Sequence, residues 1–311
     1  MGEILVEIMR PQPDMPLGMP GEFHGPYPSG APAIFADTVA RLGKPAGIIG
    51  GVGDDAFGRM VLERLQDDGV DTRLVSIAAN ASTAVAFVAY DSAGERDFIF
   101  HIKGTPAVAA CSLVGDIAAF GISKPLPGFF HVMGCSLMSD EDFCREIYKT
   151  AGLFRSIGAR VSFDPNIRPE LLGGLSLGAL VAPIIEICSV LLPGHDELLA
   201  ISGMDTVETA ALELFKNPCL EVIALKLGGN GCRIITRDED FSIGVYEVEV
   251  IDPTGASDCF DAGFLCGMLD GLSLQDCAKQ ASAAAALNTA AFGPMEGNIS
   301  PKNIQKLRLQ S

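Results

Sequence analysis

The chain alternates between short apolar runs and segments of helical periodicity, with glycine or proline at most junctions. Six apolar runs are continuous rather than alternating, which is typical of strands buried on both faces of a parallel sheet. They are Ile4–Ile8, Ala46–Ile49, Phe129–Met133, Ala159–Phe163, Ser189–Leu192 and Val222–Lys226. Helical periodicity predicts helices over residues 31–42, 56–68, 140–157, 175–187, 205–216, 257–270 and 273–291. This alternation predicts an α/β fold with three αβα layers around a mostly parallel central sheet.

Two segments depart from this alternation. Ala84–Tyr90 and Arg96–Ile102 have the pattern of two strands, and residues 91–95 between them are typical of a hairpin loop. Pro11–Pro28 is rich in proline and glycine and joins the first strand to the first helix. We expect these segments to build a small β lid from about residues 9–30 and 82–105. The whole chain, residues 1–311, is predicted to be a single domain with this lid.

The net charge of the chain restricts the classes of molecule that it is expected to bind. The 311 residues include 22 Lys+Arg and 39 Asp+Glu, so the formal net charge is −17. Nucleic-acid and anionic-membrane surfaces need a basic footprint, so neither is expected as a partner. A small anion is still allowed, because a few backbone N–H groups can bind one locally.

Cysteine usage indicates the compartment. The nine cysteines are an odd number, form no C-x-x-C pair and lie among apolar neighbours. Reduced thiols in a protein core explain them better than disulfides or a zinc site. The first residues carry early acids and no basic segment, unlike a secretory signal. We therefore expect a cytoplasmic protein.

The strongest chemical signal is the string Asp252-Pro253-Thr254-Gly255-Ala256-Ser257-Asp258. It follows a predicted strand, Tyr246–Ile251, and opens an apolar helix. Small residues there let backbone N–H groups converge on an anion at the helix N-terminus. Asp258, in the first helical turn, could accept a hydroxyl proton while those amides hold a phosphoryl group. Ordinary helix capping by serine and aspartate explains the same residues without any chemistry.

Extended to Phe260, the string resembles the D-x-T-G-A-G-D-x-F signature of the ribokinase-like (PfkB) carbohydrate kinases. Residues 29–36, 41–43 and 50–58 are similar to the N-terminal signature of that family in order and spacing. Asp164-Pro165-Asn166-Ile167-Arg168 resembles the D-x-N-x-R segment of its fructokinase and ketodeoxygluconate-kinase branch. Lys226-Leu227-Gly228-Gly229-Asn230-Gly231 resembles its nucleotide-side K-x-G-x-x-G turn. The resemblance covers nearly the whole chain and implies the ribokinase-like three-layer fold with a β lid.

The resemblance implies a role for each matching residue. Asp258 would be the catalytic base, and the amides of Gly255, Ala256, Ser257 and Asp258 would form the anion hole. Binding of the cofactor ATP is implied for Lys226, Gly228, Gly231, Gly255 and Asn288. Substrate binding is implied for Glu7, Gly30, Ala31, Asn166, Arg168 and Asp258. Metal roles are implied for Glu197, which would hold Mg²⁺ through water, and for Asp252 and Thr254, which correspond to a K⁺ loop in members that have one.

Four positions depart from the family pattern. Ser257 stands where glycine is usual, and serine would cost about 1–2 kcal/mol if that position needed a positive φ. Ile34 replaces an asparagine that contacts sugar hydroxyls, and Gly194 replaces the asparagine of N-x-x-E. Ile102 replaces the arginine with which sugar-acid kinases bind a carboxylate.

These observations lead to the prediction of an ATP- and Mg²⁺-dependent kinase of a small neutral sugar, ribokinase- or fructokinase-like. Three alternatives remain: a kinase of a sugar acid such as 2-keto-3-deoxygluconate, a nucleoside kinase, and a catalytically slow sugar-binding sensor. An exposed edge of the lid sheet could also pair with a second copy of the chain to form a homodimer.

Overall fold

The computed structural model describes residues 1–92, 94, 96–109 and 126–310. Contacts divide the chain into two compact units. The first comprises Met1–Ala109, Val248–Ala262 and Ala284–Leu309, and the second comprises Ala110–Glu247, Gly263–Ala283 and Gln310–Ser311. Both segments predicted to form the lid belong to the first unit. The assignment of residues 1–311 to a single domain stays a prediction.

Six strands form the sheets of the first unit. They are β1 (Leu5–Met9), β2 (His24–Ser29), β3 (Gly47–Gly53), β4 (Asp71–Ala78), β5 (Ala84–Tyr90) and β6 (Arg96–His101). Four of them pair in the order β2-β1-β5-β6, while β3 and β4 form a separate parallel pair. The predicted hairpin is confirmed as β5 and β6, although Ala93 and Glu95 of its loop lie outside the described residues. Strand β1 pairs with β2 and β5, and so belongs to the sheet of the predicted lid strands.

The described residues of the second unit form a six-stranded sheet. Its strands are β7 (Phe129–Met133), β8 (Arg160–Asp164), β9 (Cys188–Leu191), β10 (Val222–Lys226), β11 (Cys232–Ile235) and β12 (Asp240–Ile243). Strands β7 to β10 are parallel neighbours, and β11 and β12 extend the sheet as antiparallel strands. The carboxyl ends of β8, β9 and β10 therefore meet at one edge, where α/β proteins commonly bind ligands.

All seven predicted helices are confirmed to within two residues at each end. They are Ala31–Arg41, Ala56–Asp67, Glu141–Ser156, Leu177–Ile185, Val207–Leu214, Ala256–Leu269 and Leu274–Thr289. Side-chain caps fix several starts: Asp55 accepts from Gly58 N–H, and Asp140 accepts from Phe143 N–H. The last two helices contribute residues to both units.

One predicted strand is wrong, and several elements were not predicted. Residues 244–250 form no strand, although the Tyr246–Ile251 pattern alternates, and Val250 is largely exposed. No strand pairs with this segment among the described residues, and Ile251 N–H instead donates to Thr289 O. The elements that were not predicted are β4, β11, β12 and the helices Gly134–Ser139, Pro169–Leu172, His195–Ser202 and Pro301–Arg308.

The burial of the described cysteines agrees with the interpretation that they are thiols in a protein core. Eight are free thiols and all but Cys219 are buried, while Cys111 lies outside the described residues. Within the same described part of the chain, no helix is both long and apolar enough to cross a bilayer. Nor do three His, Cys, Asp or Glu side chains cluster there in a way that could hold a metal ion.

Candidate active site

The Asp252 turn leads directly into the helix that carries Asp258. Asp252 Oδ1 accepts from Thr254 N–H at 2.9 Å, which closes a local Asx turn. The same oxygen accepts from the Tyr90 hydroxyl at 3.0 Å, and Oδ2 accepts from Gly293 N–H at 2.9 Å. Asp252 and Thr254 are almost completely buried. The carboxylate therefore joins the turn to strand β5 and to the loop at residue 293.

The predicted anion hole lies where the helix Ala256–Leu269 begins. Gly255 has φ 77°, a left-handed conformation that favours glycine, and the helix starts at the next residue. The first N–H groups of a helix have no partner within the helix, so they can bind an anion. Asp258 lies in the first turn and is 6% exposed. This arrangement places a buried carboxylate in the first turn of the helix, while the anion-binding role of the neighbouring amides stays a prediction.

Ser257 fits the helix without backbone strain. It lies inside the helix Ala256–Leu269 and is not among the residues with positive φ, whereas Gly255 is. The expected cost of serine at a left-handed position therefore does not apply. The left-handed residue of this string is Gly255, two positions before Ser257.

Two arginines hold the loop that follows Asn288. Arg41 Nη1 donates to Met295 O at 2.9 Å, and a second Arg41 nitrogen donates to Gly297 O. Arg64 Nη2 also donates to Met295 O, at 2.6 Å. The helices Ala31–Arg41 and Ala56–Asp67 thereby fix residues 293–297, which in turn contact the Asp252 turn.

Of the predicted sugar-side residues of the first unit, Glu7 and Gly30 are buried and Ala31 is partly exposed. Glu7 Oε1 accepts from the Ser29 hydroxyl at 2.7 Å. Gly30 has φ 105°, and a Cβ there would lie 2.5 Å from Glu3 O, so only glycine fits before the helix that starts at Ala31. Ile34 is 3% exposed and lies 3.2 Å from the position that a Cβ on Gly255 would occupy. Glu7 and Gly30 are thus held by their own unit in fixed positions.

In the second unit, an ion pair joins two strand ends. Lys226 Nζ, at the end of β10, donates to Asp164 Oδ2, at the end of β8, over 2.8 Å. The side chains are 12% and 1% exposed. Asp164 Oδ1 also accepts from Asn166 N–H at 3.2 Å, which shapes the Asp164-Pro165-Asn166 turn. The structure thus gives Lys226 a protein partner in addition to its predicted nucleotide role.

Glu197 fixes the backbone of the predicted sugar-binding turn. Its Oε1 accepts from Ile167 N–H at 2.8 Å, and its Oε2 accepts from Gly194 N–H at 2.7 Å. Burial, followed by the nearby Asp164 carboxylate, raises the pKa of Glu197. Each oxygen keeps a further lone pair, so the carboxylate fits the predicted contact with a water molecule bound to Mg²⁺.

The other nucleotide-side residues lie close to the end of β10. Gly228 has φ 56° and begins a 3₁₀ turn, Gly228–Asn230. Gly231 has φ 86°, and a Cβ there would lie 2.0 Å from Ile243 O. Arg168, which was predicted to bind the substrate, donates from Nη1 to Ile167 O at 3.2 Å. Asn288 belongs to the first unit and is completely buried, and its predicted role in ATP binding stays a prediction.

The structure sorts the predicted residues into two sets and adds residues that the sequence reasoning missed. The first unit holds Glu7, Gly30, Ala31, Asp252, Thr254, Gly255, Ala256, Ser257, Asp258 and Asn288, and the second holds Asn166, Arg168, Glu197, Lys226, Gly228 and Gly231. Tyr90 and Asp164 were missed as contributors. For Asp164 a signal was present, because it repeats the Asp-Pro-x pattern of Asp252.

Comparisons with known proteins agree on one family. The model of the pfkB family of carbohydrate kinases matches residues 25–301. Fructokinase-1 of Oryza sativa subsp. japonica is 33% identical over 252 residues, which are 80% of this chain and 76% of that protein.

Solved structures cover the chain more completely. An E. coli protein assigned as ribokinase II, solved in complex with ATP and Mg²⁺, is 36% identical with a TM-score of 0.90. The match covers 100% of this chain and 98% of that one. A double-mutant fructokinase from Vibrio cholerae O395, with fructose, ADP and a potassium ion bound, is 25% identical with a TM-score of 0.84. That match covers 98% of this chain and 96% of the other.

Proposed function

The chain belongs to the pfkB family of carbohydrate kinases, and we propose that it transfers the γ-phosphoryl group of ATP to a hydroxyl of a neutral sugar such as fructose. The ribokinase-like α/β fold and the class of reaction, phosphoryl transfer to a sugar hydroxyl, follow from the family. The choice of ATP is supported by the E. coli relative, and that of fructose by the plant relative. The single observation that carries the proposal is the buried Asp258 carboxylate at the N-terminus of the helix Ala256–Leu269.

The reaction assigns a separate task to each part of this helix start. The Asp258 carboxylate takes the proton of the attacking hydroxyl while the sugar oxygen forms a bond to the γ-phosphorus and ADP leaves. The amides of Gly255, Ala256, Ser257 and Asp258 hold the negative charge of the transferring group. Glu7, Gly30, Ala31, Asn166 and Arg168 are proposed to bind the sugar, and Lys226, Gly228 and Gly231 the nucleotide.

The Mg²⁺ that accompanies ATP is proposed to reach the protein through water held by Glu197. When bound, it would neutralise phosphate charge during transfer. Glu197 is suited to this because both of its oxygens are oriented by backbone N–H groups, those of Ile167 and Gly194. The protein's own part is then to keep the Asn166–Arg168 turn in a fixed position relative to that carboxylate.

The proposal of a neutral sugar is supported by Ile102. This residue follows β6, is 2% exposed, and stands where the family resemblance places an arginine in sugar-acid kinases. Burying a carboxylate without such a partner would cost several kcal/mol. We expect kcat/KM for 2-keto-3-deoxygluconate to be at least about tenfold lower than for fructose or ribose, equivalent to about 1.4 kcal/mol.

The test measures ATP-dependent phosphorylation of fructose, ribose and 2-keto-3-deoxygluconate. Asp258→Asn should lower kcat by about 10²–10⁴-fold with little change in the KM for ATP, since removal of a general base typically costs that much. Asp276→Asn is the matched control, because Asp276 also lies in the first turn of a helix, Leu274–Thr289. A wild-type kcat in Asp258→Asn would remove this residue from the mechanism, and a preference for the sugar acid would overturn the substrate class.

Assembly and location are further parts of the proposal. Strand β6 is an outer strand of the four-stranded sheet, and Ile99 on it is 45% exposed, which supports pairing with a second copy. Light scattering coupled to size-exclusion chromatography would show a dimer, and Ile99→Lys should weaken it. The eight free thiols support a location in the reducing cytoplasm.

A further inference from the structure

Asn288 joins two segments next to the proposed anion hole. It lies in the helix Leu274–Thr289 and is 0% exposed. Its Nδ2 donates to Thr254 O at 2.7 Å and to Pro294 O at 3.2 Å. An amide nitrogen has two N–H groups, so both are used. Asn288 therefore bridges the Asp252 turn and the loop that Arg41 and Arg64 hold.

The anion hole rests directly against this bridge. A Cβ on Gly255 would lie 2.4 Å from Pro294 O and 3.1 Å from Asn288 Nδ2. Gly255 is thus packed against both the donor and one of its acceptors. Any change in the spacing of Thr254 O and Pro294 O would shift the first amide of the helix.

The Asn288 amide occupies space that a monovalent cation bound to Thr254 O would need. The family resemblance assigns such an ion to Asp252 and Thr254, and the related V. cholerae structure holds potassium. A potassium site needs several oxygens directed at the ion in place of its hydration shell. In this chain, the NH₂ group of Asn288 lies between Thr254 O and Pro294 O, 2.7 and 3.2 Å from them, and so fills the space from which an ion would contact those two oxygens.

We propose that the Asn288 amide takes the place of the monovalent cation, so that phosphoryl transfer by this chain does not depend on K⁺. This inference rests on the proposed kinase function. The partial positive charge of the NH₂ group offsets the repulsion between the Thr254 and Pro294 carbonyl dipoles. A cation performs the same task with a full charge.

The orientation of the Asn288 side-chain amide indicates which variant tests the inference most directly. Oδ1 of Asn288 is buried and has no hydrogen-bond partner among the described residues, whereas Nδ2 has two. A rotated amide would direct Oδ1 at two carbonyl oxygens, which is unfavourable unless a cation lies between them. Asn288→Asp imposes that situation at nearly constant volume, because it replaces NH₂ by oxygen.

The experiment compares KCl with NaCl and tetramethylammonium chloride at constant ionic strength. For the wild-type chain we expect turnover of ATP and fructose to change less than about twofold, and the Tm without substrates to show no shift specific to K⁺. Asn288→Asp should lose about tenfold or more of the turnover without K⁺, the loss expected from two missing hydrogen bonds. K⁺ should restore that turnover and raise the Tm of the variant.

Asn298→Asp is the control, since it makes the same change of charge at an exposed position ten residues further on. Specific activation of the wild-type chain by K⁺, or a K⁺-specific rise in its Tm, would overturn the inference, even if Asn288→Asp did not fold. A folded Asn288→Asp that ignores K⁺ would overturn it as well. Absence of turnover with every sugar and salt would instead contradict the proposed function, and the wild-type Tm would still test the cation.

Discussion

Two turns with the same local sequence have different partners in the two units. Asp252-Pro253-Thr254 and Asp164-Pro165-Asn166 are both Asp-Pro-x, and in each the aspartate accepts from the backbone N–H two residues later, at 2.9 and 3.2 Å. The remaining contacts differ. Asp252 accepts from the Tyr90 hydroxyl and Gly293 N–H, whereas Asp164 pairs with the Lys226 ammonium.

The comparison shows that local sequence determines the turn and tertiary structure determines its electrostatics. The Asx turn needs only the carboxylate and the N–H two residues later, so it forms in both places. Around Asp252 the partners that we describe are neutral, and the negative charge is shared among dipoles. Around Asp164 the charge is paired with a second buried charge, which is strong when intact and costly when broken.

The largest effect should follow from removing the ion pair at the charged turn, Asp164-Pro165-Asn166. Lys226→Met leaves the Asp164 carboxylate, which is 1% exposed, without its ammonium. Removing one member of a buried pair typically lowers the free energy of unfolding by about 3–5 kcal/mol. Denaturant unfolding measures the loss, and the double variant Asp164→Asn/Lys226→Met should recover most of it. A loss below about 1 kcal/mol in the single variant would mean that the pair behaves like a surface salt bridge.

The next effect should appear at Glu197, whose carboxylate supports the same turn. Glu197→Gln keeps one oxygen but directs an NH₂ group at the N–H of either Gly194 or Ile167. We expect kcat/KM for the sugar to fall by about 10–100-fold, or about 1.4–2.7 kcal/mol, because the turn that positions Asn166 loosens. Asp196→Asn is the control, since the Asp196 side chain is fully exposed. An unchanged KM for the sugar in Glu197→Gln would contradict this role.

A smaller loss of stability is expected at the neutral turn, Asp252-Pro253-Thr254, where the described partners of Asp252 are uncharged. Tyr90→Phe removes one donor from Asp252, but the N–H groups of Thr254 and Gly293 remain. The free energy of unfolding should fall by about 1–2 kcal/mol, which is clearly less than for Lys226→Met. If the two variants were equally destabilising in the same denaturant experiment, the distinction between the neutral and charged turns would not hold.

The smallest effect should be found at Ser257. Because this residue is helical, Ser257→Gly adds backbone freedom and should cost about 0.5–1 kcal/mol of stability. We expect kcat to stay within about threefold of the wild-type value. Steady-state kinetics and thermal unfolding check both numbers. A decrease of about tenfold in kcat would show instead that the serine hydroxyl binds the transferring phosphoryl group.

Most of the secondary structure could be predicted because it depends on local pattern. The seven helices and the β5–β6 hairpin follow from periodicity and turn residues, and the structure confirms them. The prediction of a strand at Tyr246–Ile251 was wrong because a strand needs a neighbour, which an alternating pattern cannot supply. Strand β11 was missed for a related reason, since it is defined by pairing with β10 and β12.

For the site, the sequence by itself determined the residue types and their order. It placed Gly255 and Asp258 at a helix start, and the structure shows the left-handed glycine and the buried carboxylate there. The conformation of Gly255 and the start of the helix are short-range features, since they depend on the φ of one residue and on the orphan N–H groups of one helical turn. The same holds for the two Asx turns. Burial of the Asp258 carboxylate depends instead on tertiary packing.

Only the tertiary structure decided which partners these residues meet. Asn288 lies 34 positions from Thr254, Tyr90 lies 162 positions from Asp252, and Lys226 lies 62 positions from Asp164. No periodicity or spacing in the chain encodes such pairings, because they arise when strands and helices pack and buried polar groups must find donors or acceptors. The sequence therefore determined the turns and the chemical groups, and packing decided that one carboxylate is held by dipoles and the other by a buried charge.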